Sequence, residues 1–243
     1  MQPDKKNVHA FSSTIKASAR YSLLGHLGTC VGVTLIYLFF YFIMYEIAGS
    51  VFTGDGIASL LGSLVTQWIL LTLFGLFEYG NASIYISLQY GQDVHYGQVF
   101  SGFRENPDKI LKIQSVLSSI ALLCVLPQAI FGYVTGFATD TDLVVYWVLT
   151  ALGVLVEIFF SLLFGLSFYI LLDYPSEDPF QCLRLSAKMM RGRKARLFYL
   201  YLSFIPMGLL CLCSLGIGAL WVLPYFNASI AAFYKNCVGG TDR

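Results

Sequence analysis

Long apolar runs alternate with short polar segments along almost the whole chain. Six of these runs reach or approach the roughly 20 helical residues that a bilayer core of about 30 Å requires. They cover about Leu23–Ile47, Ile57–Gln89, Ile113–Phe137, Leu143–Leu172, Leu197–Leu215 and Gly218–Tyr234. The pattern therefore predicts an all-α polytopic membrane protein with six transmembrane helices, which form a single integral membrane domain over residues 1–243.

Two of the runs are longer than one crossing, and three contain a proline. The second and fourth runs must tilt, kink or project beyond the bilayer to be accommodated. Pro127, Pro206 and Pro224 each lie inside a run, where proline removes a backbone donor and bends a helix. The sixth run is short and contains Pro224, so a broken or partly re-entrant segment is expected there.

Composition supports a membrane location. Hydrophobic residues make up 57% of the chain and charged residues 12%, against roughly 45–50% and about 25% in soluble domains. The surplus apolar surface must face lipid, because water penalises exposed methylene groups. The six cysteines lie in apolar runs or basic loops, which argues against a disulfide framework. The main basic cluster adjoins a run and has no zinc spacing, so no nucleic-acid partner is expected.

The distribution of positive charge predicts the orientation. All 15 Lys and Arg residues lie in the N-terminal segment, in the loops after the second and fourth runs, or in the C-terminal segment. The connecting segments 48–56, 138–142 and 214–218 contain none. Since Lys and Arg are retained on the cytoplasmic side, both termini are predicted to be cytoplasmic.

A short sequence similarity indicates a repeated unit. The second run ends with Asn81-Ala-Ser-Ile and the sixth ends with Asn227-Ala-Ser-Ile. When the runs are aligned, Ser167–Ile170 occupies the corresponding positions of the fourth run. A segment with helical apolar spacing precedes each hairpin, at residues 11–20, 99–113 and 182–197. The pattern predicts three units, 11–90, 99–174 and 182–235, each with an amphipathic lead helix and a two-span hairpin. Units with an even number of spans share one orientation, so their axis would lie along the membrane normal.

The last forty residues carry a family resemblance, together with an N-terminal I-K-x-x-A-R element. The residues that carry it are Leu202-Ser-Phe-Ile205, Leu215-Gly-Ile-Gly218, Trp221, Pro224-Tyr225, Asn227, Ala232-Phe-Tyr234, Ile15-Lys16, Ala19 and Arg20. The chain resembles the bacterial integral membrane family known as domain of unknown function 975. The resemblance implies six spans and a plasma-membrane location, mostly in Gram-positive bacteria. It implies no catalytic residues.

Two acidic residues inside the runs are the strongest candidates for an intramembrane site. Glu157 lies near the middle of the fourth run and Glu78 lies in the second. A carboxyl group inside a bilayer costs a few kcal/mol, and it usually faces the bundle interior or a polar cavity. We interpret Glu157 foremost as a residue that couples to a proton or cation, with Asn81, Gln128 and Asn227 as polar candidates nearby. The alternative is a structural acid that is protonated or hydrogen-bonded between helices, and Glu78 could also reach the headgroups.

A basic segment precedes the fifth run. It contains Arg184, Lys188, Arg191, Arg193, Lys194 and Arg196. Clusters of four to eight such residues beside a span are typical of contact with anionic lipids, at about 1 kcal/mol per residue. The alternative is that these residues only determine topology, and both can hold together.

The sequence contains no catalytic or metal-binding motif. We therefore predict no catalytic residues, metal or cofactor. The favoured function is transport-related binding or movement of a small amphiphile or ion, in a central space lined by Glu157 and the polar ends of runs two, four and six. The alternative is a non-catalytic interaction protein, either an accessory subunit of a membrane complex or a protection against membrane-active peptides. A membrane enzyme acting on lipid ranks third. Expected partners are membrane lipids, with a membrane protein or a second copy as further candidates.

Overall fold

The computed structural model describes residues 12–52, 54 and 56–239. Within these residues the chain forms ten α-helices and one 3-10 helix, and no β-strand. The α-helices are α1 Ser12–Leu23, α2 Leu27–Ser50, α3 Ile57–Gln89, α4 Pro107–Thr135, α5 Asp140–Phe164, α6 Ser167–Asp173, α7 Pro179–Met189, α8 Lys194–Leu202, α9 Ile205–Cys213 and α10 Ala219–Gly239; the 3-10 helix is Tyr96–Phe103. The all-α prediction is confirmed for the described part of the chain.

Five helical segments are long and apolar enough to cross a membrane. They are Leu27–Ser50, Ile57–Gln89, Pro107–Thr135, Asp140–Asp173, which joins α5 and α6, and Lys194–Cys213, which joins α8 and α9. These segments coincide with the first five predicted runs to within a few residues at most ends, and they indicate a multi-pass membrane protein. The sixth run forms α10, which is not among the five because Asn227, Lys235 and Asn236 lower its hydropathy.

The helix breaks differ from those expected from proline. α10 continues through Pro224 without interruption. The fifth run is divided instead, at Ser203–Phe204, and Pro206 lies in the first turn of α9, where a missing donor costs nothing. The first run also begins later than predicted, because Gly25 adopts a φ of +86° in the turn between α1 and α2.

The predicted lead helices also differ from the structure in part. The first is α1, with residue 11 outside the described residues. The second, residues 99–113, is not one helix, because Asn106 adopts a left-handed φ of 51° before Pro107 and separates the 3-10 helix from α4. The third, residues 182–197, is divided between α7 and α8 by a turn in which Gly192 has a φ of +76°.

The helices pack in a cyclic order. α1 packs on α10, the 3-10 helix on α3, and α7 on α6, so each lead element lies against the last helix of another predicted unit. The helix that begins the first apolar segment of each unit follows the same order, since α2 contacts α10, α4 contacts α3, and α8 contacts α5. We call the end of the bundle where α1, the 3-10 helix and α7 pack the basic end, because the basic loops meet there.

The core lies at the basic end, and the rest of the bundle is exposed. α3, α6 and α10 converge there and bury Tyr85, Ile170 and Tyr234 almost completely. By contrast, Leu162 is the one buried residue of α5, and α9 has none. Apolar side chains that are left exposed on such helices fit a lipid environment, since hydrocarbon does not penalise them as water does.

Two glycines allow the 3-10 helix to lie directly on α3. A β-carbon at Gly80 would overlap the carbonyl oxygen of Val99, and one at Gly102 would overlap that of Leu76. The two backbones therefore approach each other from both sides, as at close helix contacts in membranes. A stack between Phe40 of α2 and Phe77 of α3, with ring centroids 4.6 Å apart, packs α2 against the same part of α3.

Candidate functional site

The two acids within the long apolar helices lie on one cavity. Glu78 of α3 and Glu157 of α5 both line a space of about 300 Å³ between α3, α4, α5 and α6. Each residue was identified from the sequence as a separate candidate site residue, and the sequence did not indicate that the two share a site. The remaining wall is largely apolar, formed by Leu71, Leu117, Ile120, Ala121, Phe160, Phe164 and Phe168.

Close helix packing positions Glu157 on this cavity. A β-carbon at Gly153, one turn before Glu157, would lie 2.6 Å from the carbonyl oxygen of Cys124, so α5 approaches the backbone of α4 at that point. The Glu157 side chain is itself exposed, whereas Glu78 is half-buried. The cavity therefore has an inner acid, Glu78, and an outer acid, Glu157, at a lateral opening beside α5.

Two polar side chains of α4 complete the wall. The amide of Gln114 donates from Nε2 to the carbonyl oxygen of Leu71 at 3.2 Å, while its Oε1 has no hydrogen-bond partner. The hydroxyl of Ser118, one turn later, also has no partner, and both side chains are more than 90% buried. Buried polar atoms are normally satisfied, so an unpaired acceptor and hydroxyl facing a cavity indicate room for a ligand or water.

The cavity combines two carboxyl groups with other hydrogen-bonding side chains. Its lining includes two carboxyl groups, the Gln114 amide and the Ser118 and Ser161 hydroxyls, and no Lys or Arg belongs to the lining among the described residues. This set favours a cation or a group that donates hydrogen bonds. In the part of the chain that the structure describes, no three His, Cys, Asp or Glu side chains form a metal-binding group.

The other polar candidates lie apart from this cavity. Asn81, Gln128 and Asn227 are half-buried, and none of them lines it. α10 contributes nothing to its wall, so the space lies to one side of the bundle and is not the central one expected from the sequence. Gln114 and Ser118 could have been found as polar residues one turn apart within the third run, but a single sequence does not show which way that face of α4 points.

The basic cluster is divided by the turn between α7 and α8. Lys188, Arg191 and Arg193 line a pocket of about 460 Å³ at the basic end. Lys194 lies over the ring of Phe159, 4.7 Å from its centroid. Arg184 and Arg196 line no part of this pocket.

A polar junction joins the ends of α3, α6 and α10 near that pocket. The hydroxyl of Tyr234 donates to Asp173 at 2.6 Å, and the hydroxyl of Tyr90 lies 3.5 Å from the same carboxylate oxygen. Lys235 donates to the carbonyl oxygen of Gln89 and lies over the ring of Tyr90. Burial, together with the negative charge of Asp173, raises the pKa of Tyr90, so this phenol stays protonated as a donor at neutral pH.

Comparison with known families gives a match over most of the chain. The family model described as "Protein of unknown function (DUF975)" matches residues 10–239. The chain belongs to this family. The resemblance seen in the last forty residues is thus confirmed, and the match extends over most of the sequence. No curated protein and no solved structure matches the chain.

Proposed function

We propose that this DUF975 protein binds a small amphiphile or ion of positive charge in the cavity between Glu78 and Glu157, as part of a transport-related function. The observation that carries the proposal is that both carboxyl groups within the apolar helices line one cavity. Acidic side chains inside a membrane are costly, and those that occur there face the bundle interior or a water-filled cavity and mark ion or substrate pathways.

The size and lining of the cavity fit an amphiphile. Its volume of about 300 Å³ is at the lower end of the range of about 300–1,000 Å³ for small-molecule sites. An ammonium group can pair with a carboxylate and donate to Gln114 Oε1, while the phenylalanine rings contact a short alkyl segment. The unpaired atoms of α4 would then gain the partners that they lack.

The position of Glu157 favours entry from the side of the bundle. α5 buries only Leu162, and the Glu157 side chain is exposed beside the cavity. An amphiphile that diffuses in the bilayer would therefore meet Glu157 first and Glu78 after it. The two acids would act in sequence on one path.

A binding assay with dodecylammonium tests the proposal. The full chain in phosphatidylcholine nanodiscs is titrated with radiolabelled dodecylamine near neutral pH, and dodecanol is the uncharged competitor of equal chain length. We expect saturable binding that dodecanol does not displace. Glu157→Gln and Glu78→Gln should each weaken binding at least about tenfold, which corresponds to about 1.4 kcal/mol.

The matched control is Glu46→Gln, which removes an exposed acid of α2 outside the cavity and should change the affinity less than about twofold. Equal losses in the Glu46 and Glu157 variants, or equal competition by dodecanol, would show that binding does not depend on the cavity. If the cavity variants behave like the parent and a stoichiometric membrane protein copurifies, the non-catalytic interaction role replaces the transport-related one.

We further propose that α10 forms a sixth crossing, and that the chain consists of three units, 11–90, 99–174 and 182–235. The cyclic packing of α1 on α10, the 3-10 helix on α3, and α7 on α6 supports these units. If Ser83, Ser167 and Ser229 are aligned, Gln89, Asp173 and Lys235 fall in one column. These positions and their neighbours Tyr90 and Tyr234 form the polar junction.

The proposed location is the bacterial plasma membrane, with both termini and the basic end in the cytoplasm. The complete segregation of Lys and Arg supports this orientation. In a cysteine-free background, a membrane-impermeant maleimide added to intact cells should label Thr141→Cys but not Arg191→Cys. Permeabilised cells should show labelling of both variants. Labelling of position 191 alone in intact cells would show that the chain has the opposite orientation.

A further inference from the structure

The pocket at the basic end combines positive charge with an apolar floor. Lys188, Arg191 and Arg193 line it together with Tyr174, Tyr234 and Glu177. The apolar part of the lining consists of Ile170, Leu185, Met189 and Val238. Its volume of about 460 Å³ exceeds what an inorganic anion fills. The pocket lies apart from the carboxylate cavity, and none of its lining residues belongs to that cavity.

Two of the three cations have no protein partner in the described structure. Arg193 donates to the carbonyl oxygen of Cys237 at 3.1 Å, which fixes its guanidinium group beside the pocket. Among the described residues, the side chains of Lys188 and Arg191 make no hydrogen bond and no ion pair. Both line the same pocket, so their donors remain available to a ligand there.

The charge balance favours a doubly charged anion. Three cations and the carboxylate of Glu177 give the lining itself a net charge of about +2, and Asp173 lies behind the lining residue Tyr234, whose hydroxyl donates to it. Lys109 donates to the backbone carbonyl of Glu177 at 3.0 Å, so another positive charge lies beside this acid. A phosphomonoester carries a charge of about −1.5 to −2 at neutral pH and offers three acceptor oxygens. Arg binds such a group through two parallel hydrogen bonds, and Lys binds it as a point charge.

We propose that Lys188, Arg191 and Arg193 form a discrete binding site for a phosphomonoester group. The apolar floor and the tyrosine rings accommodate the carbon chain that carries the phosphate. The pocket is lined by the end of α6, where the apolar segment Asp140–Asp173 finishes. A phospholipid with a terminal phosphate is therefore the expected source of the ligand, and a soluble phosphate ester is the other source of the same chemistry.

A discrete site and diffuse attraction between a basic loop and anionic lipid predict different effects of charge removal on lipid binding. Diffuse attraction depends on the number of charges, whereas a site depends on which charges are removed. The chain offers a matched pair of variants. Lys188→Gln/Arg191→Gln removes two charges from the pocket, and Arg184→Gln/Arg196→Gln removes two charges of the same basic segment that lie outside it.

Lipid binding to the full chain in phosphatidylcholine nanodiscs is measured by native mass spectrometry. Nanodiscs containing a small fraction of phosphatidic acid, a phosphomonoester, are compared with nanodiscs containing as much phosphatidylglycerol, a phosphodiester. We expect one phosphatidic acid per chain, bound at least about tenfold more tightly than phosphatidylglycerol. The pocket variant should lose this preference, and the control variant should retain it within about threefold. Glu177→Gln should strengthen binding, because it removes the acid that repels the phosphate.

Equal losses in the two double variants, or equal affinity for the two lipids, would overturn the proposal. Competition by glycerol 3-phosphate in the soluble phase separates the two sources: displacement of phosphatidic acid supports the site with a soluble ligand, and no displacement supports it with a lipid ligand. If the double variant does not fold, Lys188→Gln alone provides the test, because this side chain is exposed and has no hydrogen-bond or ion-pair partner among the described residues.

Discussion

Gly80→Ala should destabilise the protein by about 2–3 kcal/mol, which corresponds to roughly 5–10 °C in melting temperature for a chain of this size. The added β-carbon would overlap the carbonyl oxygen of Val99, which belongs to the backbone and cannot rotate away. The 3-10 helix would have to move off α3, and the layer that includes Phe77 would open with it. Gly102→Ala should have a similar effect, since it meets the carbonyl of Leu76 from the opposite side.

The matched control for this prediction is Gly208→Ala. Gly208 lies within α9, and nothing lies within 4 Å of the position that its β-carbon would take. Alanine is favoured over glycine in a helix by up to about 1 kcal/mol, so this variant should be neutral or slightly stabilised. Thermal unfolding of the three purified variants in one detergent measures the effect. If Gly80→Ala has the same melting temperature as Gly208→Ala, the 3-10 helix does not lie against α3 as described.

Tyr234→Phe should weaken the junction between α3, α6 and α10 by about 1–3 kcal/mol. The Tyr234 ring is completely buried, and its hydroxyl donates to Asp173 at 2.6 Å. Phenylalanine keeps the stack on Tyr169, whose ring centroid lies 5.5 Å away, and it removes only the donor. Of its two hydrogen bonds to described residues, the carboxylate of Asp173 would then retain the longer contact to Tyr90.

Tyr199→Phe serves as the control, because the Tyr199 side chain is 62% exposed and it should change stability by less than about 0.5 kcal/mol. If three units meet at the junction, the whole chain should unfold in one cooperative transition, and the Tyr234 variant should lower the midpoint temperature of that transition. Separate melting of the C-terminal hairpin, with the rest of the chain unchanged, would contradict a closed cyclic arrangement. Unfolding followed by two probes, one in α3 and one in α10, distinguishes these results.

The apolar runs predicted the helices best where polar or turn residues bound them. The run Ile57–Gln89 matches α3 at both ends, because Gly56 and Gly91 flank it. The first run was placed too early, because Leu23, Leu24 and Leu27 are all apolar and hydropathy does not register the break at Gly25. Pro224 was overweighted as a helix breaker, since α10 runs through it and is held by α1, α2 and α3.

The candidate site could be predicted only residue by residue. An acid within an apolar run is visible in the sequence, which is why Glu78 and Glu157 were identified. Their shared cavity depends on α5 approaching α4 at Gly153, which is a tertiary contact that one sequence does not encode visibly. The division of the basic cluster likewise depends on the turn at Gly192, which places Arg193 beside Lys188 and Arg191 in the pocket.

A density map of the parent protein in lipid nanodiscs with dodecylammonium tests the central claim most directly. We expect elongated density in the cavity between α3, α4 and α5, with the ammonium head between Glu78 and Glu157 and the alkyl tail directed toward the lateral opening beside α5. Side chains that fill this cavity, or carboxyl groups that face away from each other with no density between them, would contradict it.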